Sequence, residues 1–213
     1  LLALDVGRGD EVIVPDFAYA AVANSVILTG ATPVLIPPQI SNGNMDLQIL
    51  ESAVTTKTRC LIAVDNYGSI ENYEKIRHIT KNSLFIIQDA AESFPNNFIQ
   101  VKDLFQGDLT TVSFYANKVI TTGEGGAIFS TPRYIGRIKK LRNQGVSKPG
   151  EFVHELIGYN YRINNLAAAI FNAQWERKDE IIEKFTSIFS MYKYYLTKYK
   201  VLENCSEFGN ATR

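Results

Sequence analysis

Short β-rich runs and helical patterns take turns along most of this chain, and that alternation constrains the fold more than any other feature. "EVIV" (11–14) reads as a strand, "FAYAAVANSVILTG" (17–30) as a helix with Asp16 as its N-cap and Gly30 just past its end, and "PVLI" (33–36) as a strand. "DLQILESAV" (46–54) is helical, "CLIAVD" (60–65) a strand, "IENYEKIRHITKN" (70–82) an amphipathic helix and "LFIIQD" (84–89) a strand. "TTVSFY" (110–115) and "GAIFS" (126–130) read as further strands, followed by a helix near 132–143. Strand and helix in alternation require crossover connections, so the expectation is an α/β domain whose mostly parallel sheet is covered by helices on both faces.

From Asn164 onward the pattern changes. Residues 164–198 carry helical periodicity without a single Gly or Pro, which predicts long helices leaving the α/β body. The expected division is a large α/β domain over 1–179 and the start of a second, smaller domain over 180–213. The opening "LLALDVGRGDEVIVP" reads as the end of a helix running into a strand, so further chain is expected upstream.

Composition removes several classes of function. Of 213 residues, 46% are apolar, enough for a real core. Lys and Arg total 22 and so do Asp and Glu, so no net field draws the chain to nucleic acid or to an anionic membrane. The uncharged stretch 17–45 is long enough to span a bilayer, but Asn24, the "TGATP" turn and Pro37-Pro38 divide it into short elements. Asp5, Arg8, Asp10 and Glu11 interrupt any signal-peptide core. Cys60 and Cys205 lie far apart with no His or Cys at metal-ligand spacing, which points to neither a disulfide framework nor a metal site, and fits a reducing cytoplasm.

In an open α/β sheet the reactive groups gather at the carboxyl ends of the strands. Asp89, Ser113 and Lys118 all fall there. A carboxylate, a hydroxyl and a lysine around one pocket suit pyridoxal phosphate: the amine forms the Schiff base, the carboxylate keeps the ring nitrogen protonated and the hydroxyl holds the phosphate. Each has a plainer alternative: Lys118 as a solvated loop lysine, Asp89 as a cap for "AAES", Ser113 as a strand residue, and Tyr19 as ordinary helix packing. "GEGG" (123–126) lacks the spacing of a phosphate-binding glycine motif and reads as a tight turn between strands, and His78 and His154 have no triad or metal context.

The blocks "GDEVIVPDFAYAAVANSVILTGATPV", "TKTRCLIAVDNYG", "QDAAES", "SFYANKVITTGEGG" and "IGYNYRINNLAAAI" occur in an order that resembles the DegT/DnrJ/EryC1/StrS family of sugar aminotransferases, with the perosamine synthase-like branch most similar. The resemblance implies the type I aminotransferase fold, pyridoxal phosphate as cofactor, glutamate as amino donor, and a nucleotide-linked 4-keto-6-deoxy sugar as acceptor. It places the Schiff-base lysine at Lys118, the ring-nitrogen carboxylate at Asp89, and the phosphate-binding serine at Ser113. By the same resemblance Glu92 lies near the ring and Tyr19 stacks on it. Asn160 reaches the phosphate bound by a neighbouring subunit, which implies a homodimer with shared active sites.

Two departures accompany the resemblance. "FPNN" (94–97) stands where the family usually has a glycine, and the family's N-terminal phosphate loop and most of its C-terminal domain have no counterpart here, so the sequence reads as an internal portion of a longer protein. Three rival functions follow. One is a sugar dehydratase, in which a histidine would replace Lys118. The others are a non-catalytic homologue serving as a binding or dimerisation module and a nucleotide-binding α/β protein without pyridoxal phosphate.

Overall fold

The computed structural model describes residues 1–95, 106–146, 150 and 152–199. Six strands form one sheet: β1 (Glu11–Pro15), β2 (Thr32–Ile36), β3 (Thr58–Val64), β4 (Phe85–Asp89), β5 (Leu109–Ser113) and β6 (Gly126–Ser130), in the order β2-β1-β3-β4-β5-β6. The first five are mutually parallel, and β6 runs antiparallel to β5. The exception has a local cause, since β5 and β6 are joined by a loop without a crossover helix.

The helices are α1 (Ala21–Leu28), α2 (Leu47–Ala53), α3 (Tyr73–Ile79), α4 (Pro132–Arg142), α5 (Asn165–Glu176) and α6 (Lys178–Lys198). Asp46, Asn72 and Asn164 cap α2, α3 and α5, each side chain accepting a backbone N–H of the first turn. Two helices begin later than their sequence patterns predict. The N-cap of α1 is Ala20, not Asp16, whose own N–H donates to Ile36 O at 2.8 Å and so extends the β1–β2 ladder. Likewise α3 begins at Tyr73, because Asp65 and Glu71 hold the preceding segment in other bonds.

Alternation along the strands sends side chains to two layers. Val12, Val14, Cys60, Ile62 and Ile87 pack with Val22 and Val26 of α1, and Tyr134 and Ile138 of α4 lie against that layer. Ile13, Leu61, Ala63 and Ile86 face Leu47, Leu50, Tyr73 and Ile76 of α2 and α3. Fully burying such side chains stabilises the fold by roughly 1.5–3 kcal/mol each. A third cluster, Ala90, Phe94, Val112, Phe114 and Ile120, receives Phe171 of α5 and Ile181 of α6. Trp175 stacks between Phe94 and Phe171, at centroid distances of 5.8 and 5.6 Å. This third cluster fastens the long helices beside the carboxyl end of β5.

Cys60 is buried as a free thiol, whereas Cys205 lies outside the described residues. Residues 96 and 97 of "FPNN" and the terminal stretch "ENCSEFGNATR" also lie outside them. Among the described residues, no helix is long and apolar enough to cross a membrane, and no cluster of His, Cys, Asp or Glu could hold a metal ion.

Candidate active site

Asp89 is the last residue of β4 and Ser113 the last of β5, on neighbouring parallel strands. Their ends lie at the same edge of the sheet, where the segments following β1, β3, β4 and β5 also converge. Asn66 Nδ2 donates to Phe17 O at 2.7 Å, and the rings of Phe17 and Tyr67 meet at 6.5 Å, which joins the segment after β1 to the one after β3. Tyr67 N–H donates to Glu92 Oε2 at 3.1 Å, joining β3's segment to β4's. Glu92 Oε1 then faces Lys118 Nζ at 3.8 Å, joining β4's segment to β5's.

Lys118 is held firmly. Its own N–H donates to Tyr115 O at 2.9 Å, and the loop folds back through Thr121 Oγ1 and Thr122 N–H, both donating to Phe114 O at 2.9 Å. The side-chain amide of Gln174, on α5, grips Thr121 at both ends: its oxygen accepts the Thr121 N–H at 3.0 Å and its nitrogen donates to Thr121 O at 2.7 Å. With Ile120 buried next to it, this loop has little freedom, and Lys118 projects from a fixed base.

Asp89 is half-buried, and burial raises its carboxyl above the ordinary carboxylate value. The Ala91 N–H, donating to Oδ1 at 3.1 Å, and the Lys118 ammonium both pull it back. Asp89 thus does cap the "AAES" turn, at the same sheet edge as Lys118. A carboxylate balanced in this way gains from a cationic hydrogen-bond donor, as a protonated heterocyclic nitrogen would be.

The other sequence candidates differ in how closely they join this centre. The hydroxyl of Ser113 accepts the Tyr115 N–H at 3.2 Å, tightening the turn that leads to Lys118. Tyr19 lies before α1 and not on it, and at 82% exposure it packs against no core. Asn160 is exposed, in an isolated antiparallel bridge with Asn143. His154 Nδ1 bonds Gln144 O at 2.7 Å and serves the same loop. The structure therefore brings Asp89, Glu92, Ser113 and Lys118 to one sheet edge.

Residues not singled out from sequence take part. Gln174 clamps the lysine loop, and no local pattern marks it among the polar residues of α5. Tyr67 holds a left-handed backbone, φ 50°, uncommon for a bulky residue and typical of constrained functional loops. Asp65 follows "CLIAV" as Asp89 follows "LFIIQ", so its strand-end position was a signal available in the sequence.

The DegT/DnrJ/EryC1/StrS aminotransferase family model matches residues 1–208. The chain belongs to this family. It is 37% identical to GDP-perosamine synthase of Escherichia coli O157:H7 over 195 residues, covering 91% of this chain and 54% of that protein. With GDP-perosamine synthase of Caulobacter vibrioides it shares 38% over 200 residues, 93% of this chain and 54% of the relative. Among solved structures, an aminotransferase from Psychrobacter cryohalolentis superposes with a TM-score of 0.84 at 26% identity, covering 94% of this chain and 54% of that one. Spr1654 of Streptococcus pneumoniae in its PMP form gives a TM-score of 0.84 at 26% identity, covering 92% and 57%. The chain spans about half the length of the curated relatives it matches.

Proposed function

We propose that this chain is the greater part of the cofactor-binding domain of a pyridoxal phosphate-dependent sugar aminotransferase, one that moves an amino group from glutamate to a nucleotide-linked 4-keto-6-deoxy sugar. The observation that carries this reading is the Lys118 amine 3.8 Å from Glu92 Oε1, at the carboxyl edge of the sheet where β4 ends in Asp89. Family membership and the likeness to two GDP-perosamine synthases support the choice of reaction and acceptor.

The residues fit the cofactor chemically. When bound, pyridoxal phosphate supplies an aldehyde carbon that exchanges amino groups and a ring that accepts electrons. Lys118 Nζ would be the nucleophile that holds it and would also serve as the base for the proton on the donor's Cα. Asp89 would keep the proton on the ring nitrogen through a charge-assisted hydrogen bond. Glu92 orients Lys118 Nζ, Ser113 Oγ would donate to the phosphate and the exposed ring of Tyr19 would stack on the cofactor ring. Asn160 serves the phosphate site of a second copy, making the enzyme a homodimer with shared sites. Residues 1–179 form the cofactor domain and 180–213 the beginning of the smaller one, working in a reducing cytoplasm.

Borohydride treatment of the full-length protein loaded with pyridoxal phosphate tests the assignment. The expected result is a stable adduct on the peptide containing Lys118, found by mass spectrometry and absent from Lys118→Ala. A panel of nucleotide-linked keto sugars supplied with glutamate then identifies the acceptor by product mass. Adduct formation at another lysine, or none, would refute the reading.

A further inference from the structure

One buried carboxylate that accepts four hydrogen-bond donors is not among the groups assigned above. Asp65, wholly buried at the end of β3, accepts the Glu71 N–H at 3.1 Å and the Tyr73 O–H at 2.9 Å on Oδ1. Its Oδ2 accepts Gln88 Nε2 at 2.8 Å and the Ser93 hydroxyl at 3.4 Å. The arrangement continues as Thr110 Oγ1 donates to Gln88 Oε1 at 2.9 Å, and the Asp65 N–H itself donates to Asp89 O at 3.0 Å.

Two of these partners are sequence neighbours of residues in the candidate site. Gln88 precedes Asp89, and Ser93 follows Glu92. Strand alternation sets Gln88 on the layer of α2 and α3 and Asp89 on the opposite one. A pull on Gln88 and Ser93 from beneath therefore fixes where Asp89 and Glu92 stand above.

We propose that Asp65 is a positioning residue that sets Asp89 and Glu92 relative to Lys118 by clamping both ends of the 88–93 turn; the role rests on the reading of the site given under Proposed function. A carboxylate meets this task with no partner having to turn, since its two oxygens accept four donors at once. Stability alone does not account for it: a buried charge there costs desolvation that an apolar residue would avoid. Its return is geometric, in a site that tolerates errors of only about 0.5 Å.

The test compares full-length Asp65→Ala, Asp65→Asn and Leu50→Ala, the last a core truncation in the layer of α2, for melting temperature and for the dissociation constant of pyridoxal phosphate. Asp65→Ala should weaken cofactor binding by about tenfold or more, on the scale of lost supporting hydrogen bonds. Asp65→Asn should recover wild-type affinity to within about threefold, because the Gln88 amide can turn, accept from Asn Nδ2 and donate to Thr110 Oγ1. Leu50→Ala should lower the melting temperature and leave the affinity alone.

If Asp65→Ala does not fold, Gln88→Met, which keeps the volume and cuts the amide link, should show the same weakening to a smaller degree. Affinity unchanged in Asp65→Ala or Gln88→Met, or reduced as much in Leu50→Ala, overturns the positioning role. Borohydride trapping of the wild type separates this failure from that of the site: no adduct on Lys118 removes both, whereas an adduct with unaffected Asp65 and Gln88 variants removes only the clamp.

Discussion

Lys118 Nζ stands 3.8 Å from Glu92 Oε1, while the other oxygen of that carboxylate accepts the Tyr67 N–H at 3.1 Å. One side chain thus couples the lysine to a backbone held in a left-handed turn. Glu92→Gln keeps an acceptor for Tyr67 and removes the charge. Because the pair is partly exposed, the stability change should stay within about 1 kcal/mol. Turnover of the full-length enzyme should fall about tenfold or more as Lys118 loses its orienting partner. Thermal melting and steady-state rates on one preparation check both parts, and unchanged turnover would remove Glu92 from the site.

Asp89→Asn retains an acceptor for the Ala91 N–H and loses the charge that a ring nitrogen would need. Cofactor should still bind, with turnover reduced by about 10²-fold or more. In the wild type, burial holds the Asp89 carboxyl above its ordinary value. In the cofactor-free full-length protein an NMR titration should therefore place the Asp89 carboxyl above an exposed aspartate, and a value in the ordinary range argues against this placement of Asp89.

Glu71 carries a pH signature of its own. Burial first, and the nearby Asp65 charge second, push its carboxyl from 4.5 to about 7, against the Met45 N–H that donates to it at 2.7 Å. The folded state thus retains a proton that the unfolded chain gives up, so wild-type stability falls as pH rises from 4.5 to about 7. Glu71→Gln lacks that loss. Its urea-unfolding free energy relative to wild type should improve across the window by on the order of 1–3 kcal/mol, and parallel curves would contradict the assignment.

Gly145 adopts φ 80°, and a Cβ there would lie 1.8 Å from Leu156 O. Both backbone and contact oppose a side chain, so Gly145→Ala should destabilise by more than about 2 kcal/mol. Gly136, on α4 with open space around it, is the control: Gly136→Ala should be neutral or stabilise by about 0.5–1 kcal/mol. Denaturant midpoints distinguish the two. The Gly145 variant should also disturb Asn160, since Asn143 and Asn160 form a bridge beside it.

Much of the fold is legible in the residues because its cause is local. Each strand from "EVIV" to "GAIFS" appears within two residues of where the apolar runs place it, and for the interior strands β1, β3 and β4 burial on both faces leaves such a run few alternatives. Helix starts are less legible. Asp16 has the chemistry of a cap, yet its N–H completes the ladder with β2, a bond between segments twenty residues apart. The same holds for Glu71, which accepts the Met45 N–H where a helical pattern predicts the first turn of α3.

By itself, the order of residues determined the strand set, the two-layered core and a short roster of chemically able side chains at strand ends, because periodicity and strand polarity are properties of neighbouring positions. Only the tertiary structure decided that Glu92 meets Lys118, that Gln174 of a distant helix grips the lysine loop and that Asp65 ties down the 88–93 turn. Those contacts join side chains from separate segments. Their distances depend on how strands and helices dock, which no local pattern encodes.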